Sequence, residues 1–336
     1  MTAAVDLLVV GAGPAGLAAA IAARRLGLSA LVIEKGALVN SILHYPTDMV
    51  FFTTPELLEI GGYPFVSPHE KPTRTEALRY YRRVTDAAEL HVSLREAVTA
   101  ITPRPEGGFV VESERGGARQ VRAAAVVVVA TGAFDRPNRL DIPGEDLPHV
   151  SHYYREAHTG YRQRVVVVGG KNSAADAALE LYRAGATVTL VHRGEALGES
   201  IKYWVKPDLE NRIAEGAIAA RFRTRVVEIT PDHVQLVGPD GERSEPADAV
   251  LLLTGYHSDP TLLESAGAAL DETTGAPVHD PETFETTVPG LYVVGSCVAG
   301  TESGRIFIEN GRFHGAAAVT AAARRLRRNG LALPRP

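Results

Sequence analysis

Two glycine-rich turns and one cysteine are the residues of this chain best suited to chemistry. The first turn, Gly11-x-Gly13-Pro14-Ala15-Gly16, follows an apolar run at residues 7–10, and the second, Gly169-Gly170-Lys171-Asn172-Ser173-Ala174, follows Val165-Val166-Val167-Val168. In such a turn the first glycine permits a tight bend, the second lets the backbone approach a pyrophosphate, and the third lets the helix pack close to the strand. The helix start that follows offers unpaired N–H groups and the positive end of its dipole to phosphate. A lone glycine motif is weak, but here strand, turn, helix and a further strand agree in order. Two such sites on one chain point to two dinucleotides that exchange electrons, most simply a nicotinamide and a flavin.

The residues ending the second strand of each unit separate the two sites. Glu34 closes the strand at residues 30–34 and is placed to accept hydrogen bonds from an adenosine ribose. At the corresponding place after residues 187–191 stand His192 and Arg193. A carboxylate there would repel a 2′-phosphate, whereas a guanidinium grips it bidentately, so the second site reads as NADPH rather than NADH. Lys171 occupies the second glycine position, with its ammonium available to a phosphate, and Ala174 is an accepted variant of the third. The first site reads as FAD because further turns accompany it, Thr131-Gly132 and residues 290–296. There Gly295 permits close backbone approach and Ser296 offers a hydroxyl to a ribityl or phosphate oxygen.

Where the electrons go next is less determined. A single cysteine, Cys297, removes any vicinal redox pair and any intramolecular disulfide, and fits a reducing compartment. It precedes the last helix, whose N-terminus would lower its pKa and favour thiolate; the plainer reading is a small buried residue. His314 is a candidate proton relay, a task solvent can also perform. Glu309 and Arg312, three apart, read as a helix-surface ion pair. His152, Tyr153 and Tyr154 either line an acceptor pocket or pack with a polar tip. Lys202, Lys206 and Arg212 either meet an anionic ligand or form a solvated basic face. No metal-ligand spacing is present.

A chain of 336 residues favours two domains, since single cores stop growing at roughly 250–300 residues. With 45% apolar and 22% charged residues it is ordinary globular composition, and a net charge of −5 gives no sign of a nucleic-acid partner. No stretch reaches the roughly 20 apolar residues that cross a bilayer. The N-terminal apolar run lacks a basic flank and is interrupted at Gly11, so a cytoplasmic location is expected.

The elements that must hold these residues are legible as strand, helix and strand at 7–10, 14–26 and 30–34. Residues 36–72 lack periodicity and read as a ligand-wrapping loop. Thr73-x-x-Glu76 is a capping box opening a helix through about residue 88, and short strands follow to residue 130. Pro137, Pro143 and Gly144 mark a linker. A second unit follows with a strand from Val165, a helix at 173–184, a strand at 187–192, and a strand at 250–253 ending in Thr254-Gly255. A strand at 291–294 and one helix from about 304 to 327 close the chain. The stretches 126–132 and 250–255 occupy like places in the two units, which suggests related lobes, the second inserted in the first. The expectation is therefore an α/β fold of two Rossmann-like, three-layer ββα domains. Residues 1–138 and 258–336 would form the FAD-binding domain and 139–257 the NADPH-binding domain, with crossings near 137–144 and 255–260 permitting rotation.

These motifs resemble the thioredoxin-reductase-like pyridine nucleotide flavoproteins, and more closely the bacillithiol disulfide reductase (YpdA-type) family. The resemblance is carried by Asn40-Ser41-Ile42, His44-Tyr45-Pro46-Thr47, Phe51-Phe52-Thr53, Ile142-Pro143-Gly144-Glu145-Asp146-Leu147-Pro148 and Ser151-His152-Tyr153-Tyr154. It continues through Gly169–Ala174 in the second turn, Asp176-Ala177-Ala178-Leu179-Glu180, Ser200-Ile201-Lys202 with Trp204, and Ile306-Phe307-Ile308-Glu309-Asn310-Gly311-Arg312-Phe313-His314-Gly315. It implies FAD held by Gly11, Gly13, Pro14, Ala15, Gly16, Glu34, Lys35, Ser41, His44, Val98, Thr131, Gly132, Gly295, Ser296 and Ile306. It implies NADPH held by Gly170, Asn172, Ser173, Ala174, His192, Arg193 and Gly255, a homo-oligomer, and bacillithiol disulfide as acceptor. One departure bears on mechanism. Many members of that family carry a cysteine in the first glycine turn, where this chain has Ala15, and no C-x-x-C lies between residues 133 and 168. Alanine cannot form the mixed disulfide of thiol exchange. Two other readings stay open: a ferredoxin- or flavodoxin-NADP reductase serving a small redox carrier protein, and a flavin-binding redox sensor without turnover.

Overall fold

The computed structural model describes residues 4–328 and 330. The chain divides into two compact units: the described residues of Met1–His44, Met49–Arg136 and Tyr256–Pro336 form one, Tyr45–Asp48 and Pro137–Gly255 the other.

The first unit opens with β1 (Val5–Val10), α1 (Pro14–Arg25) and β2 (Ala30–Glu34), followed by two short helices, α2 (Asn40–Leu43) and α3 (Pro55–Leu58). Next come α4 (Arg74–Ala87), β3 (Val92–Leu94), β4 (Ala97–Pro103), β5 (Phe109–Arg115) and β6 (Ala118–Val129). The strand β7 (Arg136–Pro137) ends this stretch. A parallel sheet runs β3-β2-β1-β6, with a later strand, Leu291–Val293, pairing β6. Val10 pairs with both Ile33 and Val129, so the C-terminal ends of these strands form one edge. Leu7, Leu8, Val9 and Val126 to Val129 are all buried, the near-continuous apolar run expected of strands covered on both faces. The first half of β6 serves a second layer. It pairs antiparallel with β5, which pairs antiparallel with β4, and Leu8, Val10, Val127 and Val129 pack against Ile101, Phe109 and Val111 of that layer. The capping box forms as expected, with the Glu76 N–H donating to Thr73 Oγ1 at 3.3 Å and the Thr73 N–H to Glu76 Oε2 at 2.8 Å.

The second unit holds β8 (Val150–Ser151), β9 (Arg164–Val168), α5 (Asn172–Arg183), β10 (Thr187–Val191), α6 (Lys206–Ala214) and β11 (Ala219–Arg221). It continues with β12 (Arg225–Ile229), β13 (His233–Gly238), β14 (Gly241–Pro246) and β15 (Ala249–Leu252). Five strands in the order β11-β10-β9-β15-β8 pair in parallel, and β12-β13-β14 form an antiparallel layer. Alternation along β9 defines the layers. Val165 and Val167 face α5 through Ala174, Ala178 and Leu181, while Val166 and Val168 face Val226 and Leu236. The short piece Tyr45–Asp48 groups with this unit, the Thr47 N–H donating to Arg155 O at 2.9 Å.

The chain returns to the first unit with β16 (Tyr256–His257), α7 (Thr261–Ser265), β17 (Leu291–Val293), α8 (Ile308–Gly311) and α9 (His314–Arg328). The single helix expected over 304–327 is therefore broken. The Asn310 side chain accepts the Phe307 N–H and donates to Arg305 O, giving the backbone an alternative to helical pairing, so the long helix starts only at His314.

Candidate active site

In the first unit the glycine turn lies at the edge where β1, β2, β6 and β17 end. Gly11 has φ +106, and a Cβ there would run into Ala130 O; a Cβ on Gly16 would run into Gly11 O. Protein packing alone therefore demands glycine at both positions. Gly13 differs: a Cβ there meets nothing within 4 Å. Its bare Cα leaves an open cradle beside the start of α1. That helix has Gly13 as N-cap with no side-chain cap, Pro14 in its first turn and no acidic residue there. Its leading N–H groups are thus offered to an anion.

Glu34 takes a role the sequence did not show. It is 6% exposed, and its two oxygens accept the Ala12 and Gly36 N–H groups, both at 2.8 Å. The carboxylate fastens the glycine turn to the end of β2, a contact across 22 residues that no local pattern announces. Lys35 is exposed and pairs with Asp135 at 2.6 Å. Ser41 lies on α2, and His44 Nδ1 donates to Asn40 O at 2.8 Å, since a carbonyl only accepts. Val98 lies on β4, just after Glu96, whose N–H donates to Glu34 O.

The later turns converge on the same edge. Gly132 has φ +78, and Ser296 Oγ lies 3.8 Å from where its Cβ would be. Gly295 also has φ +78 and abuts Ala15, whose Cβ would be 2.9 Å from a Cβ added at Gly295. Gly311 fits against Ile306 and Gly295, and Gly315 against Ala15 O and the Ala19 N–H. The His314 ring stacks on Phe284 with centroids 4.3 Å apart, and its Nδ1 accepts the Gly295 N–H at 3.3 Å. Burial first, and then His279, lowers its pKa, so the imidazole is neutral with its proton on Nε2.

Cys297 departs from the activated-thiol reading. It is 1% exposed within the core that contains Leu8, Val129 and Val293, and its Sγ donates to Val294 O at 3.0 Å. It sits inside the short 3-10 turn Gly295–Ala299 rather than at the head of α9, and burial pushes the thiol up, not down. Glu309 and Arg312 form no ion pair among the described residues. Arg312 turns away to donate to the carbonyls of Glu56 and Glu59 at 2.6 and 2.8 Å, capping the end of α3.

The second unit repeats the plan with different fillings. A Cβ on Gly169 would lie 2.6 Å from Leu253 O and 2.8 Å from Ala174 Cβ, so Ala174 uses the room the first glycine leaves. A Cβ on Gly170 would strike the His192 ring, which covers that turn. Burial first, then Arg193, lowers the His192 pKa and keeps the imidazole neutral. Exposed Lys171 is the N-cap of α5, which has no side-chain cap and no acid in its first turn. Ser173 is exposed beside it. Asn172 is already engaged, accepting the Lys202 N–H at 2.9 Å and donating to Ser200 O at 2.8 Å, so it clips residues 200–202 to the helix. Arg193 is exposed and makes no ion pair among the described residues. Gly255, φ +98, follows β15 and accepts the Asn138 N–H at 2.9 Å.

The other polar candidates are paired. Lys202 meets Asp176 at 2.7 Å, Lys206 meets Glu199 at 3.0 Å, and Arg212 meets Asp208 and Glu215. His152 lies 3.4 Å from Glu145, and the Tyr154 hydroxyl donates to Glu180. The spacing Asn172, Asp176, Glu180 was the available sign of this polar stripe, since residues four apart share a helix face. Among the described residues, no His, Cys, Asp and Glu group could hold a metal ion, and no helix is long and apolar enough to cross a membrane.

Two Rossmann-like units, each with a glycine turn feeding an uncapped helix, define a two-dinucleotide oxidoreductase. Comparison with known proteins gives the family: the pyridine nucleotide-disulphide oxidoreductases match residues 8–295, and the chain belongs to them. Bacilliredoxin reductase Bdr of Bacillus subtilis (strain 168) is 42% identical over 321 residues, covering 95% of this chain and 97% of that protein. The structure of bacillithiol disulfide reductase Bdr (YpdA) from Bacillus cereus superposes with a TM-score of 0.94 at 40% identity, over 96% of this chain and 100% of that one. Its Staphylococcus aureus counterpart gives 0.91 at 38%, over 97% and 99%. The chain is therefore a flavin oxidoreductase, with FAD and NADPH as cofactors.

Proposed function

We propose that FAD binds at the Gly11–Gly16 turn, that NADPH binds at the Gly169–Ala174 turn, and that the electrons reduce a low-molecular-weight disulfide, bacillithiol disulfide first. The observation that carries this reading is the bare backbone at Gly13, where no protein packing demands glycine, at the uncapped start of α1 and between two glycines that packing does require. Bound there, FAD supplies two-electron transfer between the nicotinamide and the disulfide. In the net reaction NADPH, one proton and the disulfide give NADP⁺ and two thiols.

The chain's own residues bind, orient and handle protons. Glu34 holds the glycine turn, and the starts of α1 and α5 receive phosphate. Arg193 meets the 2′-phosphate, and Lys171 lies beside the pyrophosphate path. Neutral His314 keeps a proton on Nε2 near Gly295 and Ala15. No protein thiol is offered to the substrate, because position 15 is alanine and Cys297 is in the core. The substrate disulfide is thus reduced without a mixed disulfide on this chain. The relatives named for bacillithiol disulfide favour that acceptor over an iron–sulfur carrier. A homo-oligomer in the cytoplasm belongs to the same reading, the lone cysteine fitting a reducing compartment.

The test is NADPH consumption by the FAD-loaded protein with bacillithiol disulfide as sole acceptor. Steady turnover yielding two thiols per NADPH supports the assignment. Turnover only with a ferredoxin overturns it.

A further inference from the structure

The parallel strands β10 and β11 pair Val191 with Arg221, and their hydrogen bonding continues beyond the sheet. The His192 N–H donates to Arg221 O at 2.9 Å, the Arg223 N–H to Gly194 O at 2.8 Å and the Thr224 N–H to His192 O at 3.1 Å. These bonds hold residues 192–194 against 221–224, so Arg193 and Arg223 leave adjacent segments at one sheet edge. Arg223 stands at φ +51, a left-handed conformation uncommon for a non-glycine residue, and these bonds maintain it.

Arg221 is taken by Glu245 at 2.8 Å. Arg223 Nη2 lies 3.1 Å from Glu195 Oε1, both side chains well exposed at 61% and 78%. Arg193 makes no ion pair among the described residues. A phosphate dianion is suited to two guanidinium forks, and a carboxylate on one of them stands where a phosphate oxygen would bind.

We infer that Arg223 is a second guanidinium for the 2′-phosphate of NADPH and that Glu195 competes with that phosphate for it. Arg223 is then a specificity residue alongside Arg193, supplied by a strand end some thirty residues further on. This rests on the assignment of NADPH to the second turn.

The test is calorimetric binding of adenosine 2′,5′-bisphosphate and of 5′-AMP to the FAD-loaded full chain. Arg223→Asn is the chosen variant, because asparagine tolerates left-handed backbone better than alanine. It is expected to bind the bisphosphate about tenfold more weakly, the scale of a lost charge-assisted contact, with 5′-AMP binding unchanged. Glu195→Gln is expected to bind the bisphosphate more tightly than wild type. Unaltered bisphosphate binding in Arg223→Asn, or equal losses for both ligands, overturns the inference alone. Wild-type protein that does not prefer the bisphosphate overturns the NADPH assignment with it.

Discussion

Glu180 is half-buried and Cys297 fully buried, and both sets of surroundings disfavour the charged form. Glu180 accepts the Tyr154 hydroxyl, and burial, with Asp176 and Asp48 nearby, raises its pKa above the ordinary 4.5. Folded, it keeps its proton to higher pH than the unfolded chain does. The stability it contributes is complete below about pH 4.5 and is lost as pH rises through the folded value. Glu180→Gln, a fixed mimic of the protonated form, should match wild type in acid and become more stable than it toward neutral pH. Denaturant midpoints across that range check the sign; a gap that does not widen with pH contradicts it. Cys297, with its thiol in the core, should resist a disulfide thiol reagent in the native state and react once unfolded. Cys297→Ala should keep turnover within about twofold, at a stability cost of about 1 kcal/mol for the lost packing. Rapid native labelling with loss of turnover would show an accessible, working thiol.

The elements that carry the turns were largely readable from the residues. The runs at 7–10 and 165–168 are apolar without alternation because both faces are covered, and each glycine turn punctuates its strand as the motif predicts. What could not be read depends on partners distant in sequence or on side chains that compete locally with regular backbone pairing. Glu34 turned to the Ala12 and Gly36 N–H groups, Arg312 to carbonyls of α3, and Asn310 broke a helix that periodicity would have run through. The two glycines of the first turn separate fold from function. Gly13 has extended backbone at φ −74 and open space around its Cα, so Gly13→Ala should fold normally yet release FAD more readily, from the intrusion of one methyl into the cradle. Gly16→Ala drives a Cβ into Gly11 O and should yield poorly folded, flavin-free protein. Flavin absorbance per folded chain, with circular dichroism as the fold control, distinguishes them. Equal behaviour of the two variants would remove the cradle argument.

At the scale of the whole molecule the two units share one plan, and the differences between their turns distribute the labour. The first has an open Gly13 and a carboxylate fastening the loop; the second has Lys171 in the turn and arginines at the strand edge. The piece Tyr45–Asp48 grouping with the second unit could not be read from the residues, because an aperiodic loop carries no sign of the unit it joins. The central claim concerns the direction of electrons through this pair of sites. It is tested most directly by reducing the FAD-loaded protein anaerobically with NADPH and then adding bacillithiol disulfide while following flavin absorbance. The account predicts bleaching by NADPH and full return of the oxidised spectrum with one equivalent of disulfide, in wild type and in Cys297→Ala alike. A bleached flavin that stays reduced in the presence of the disulfide, and is reoxidised by ferredoxin instead, would contradict it.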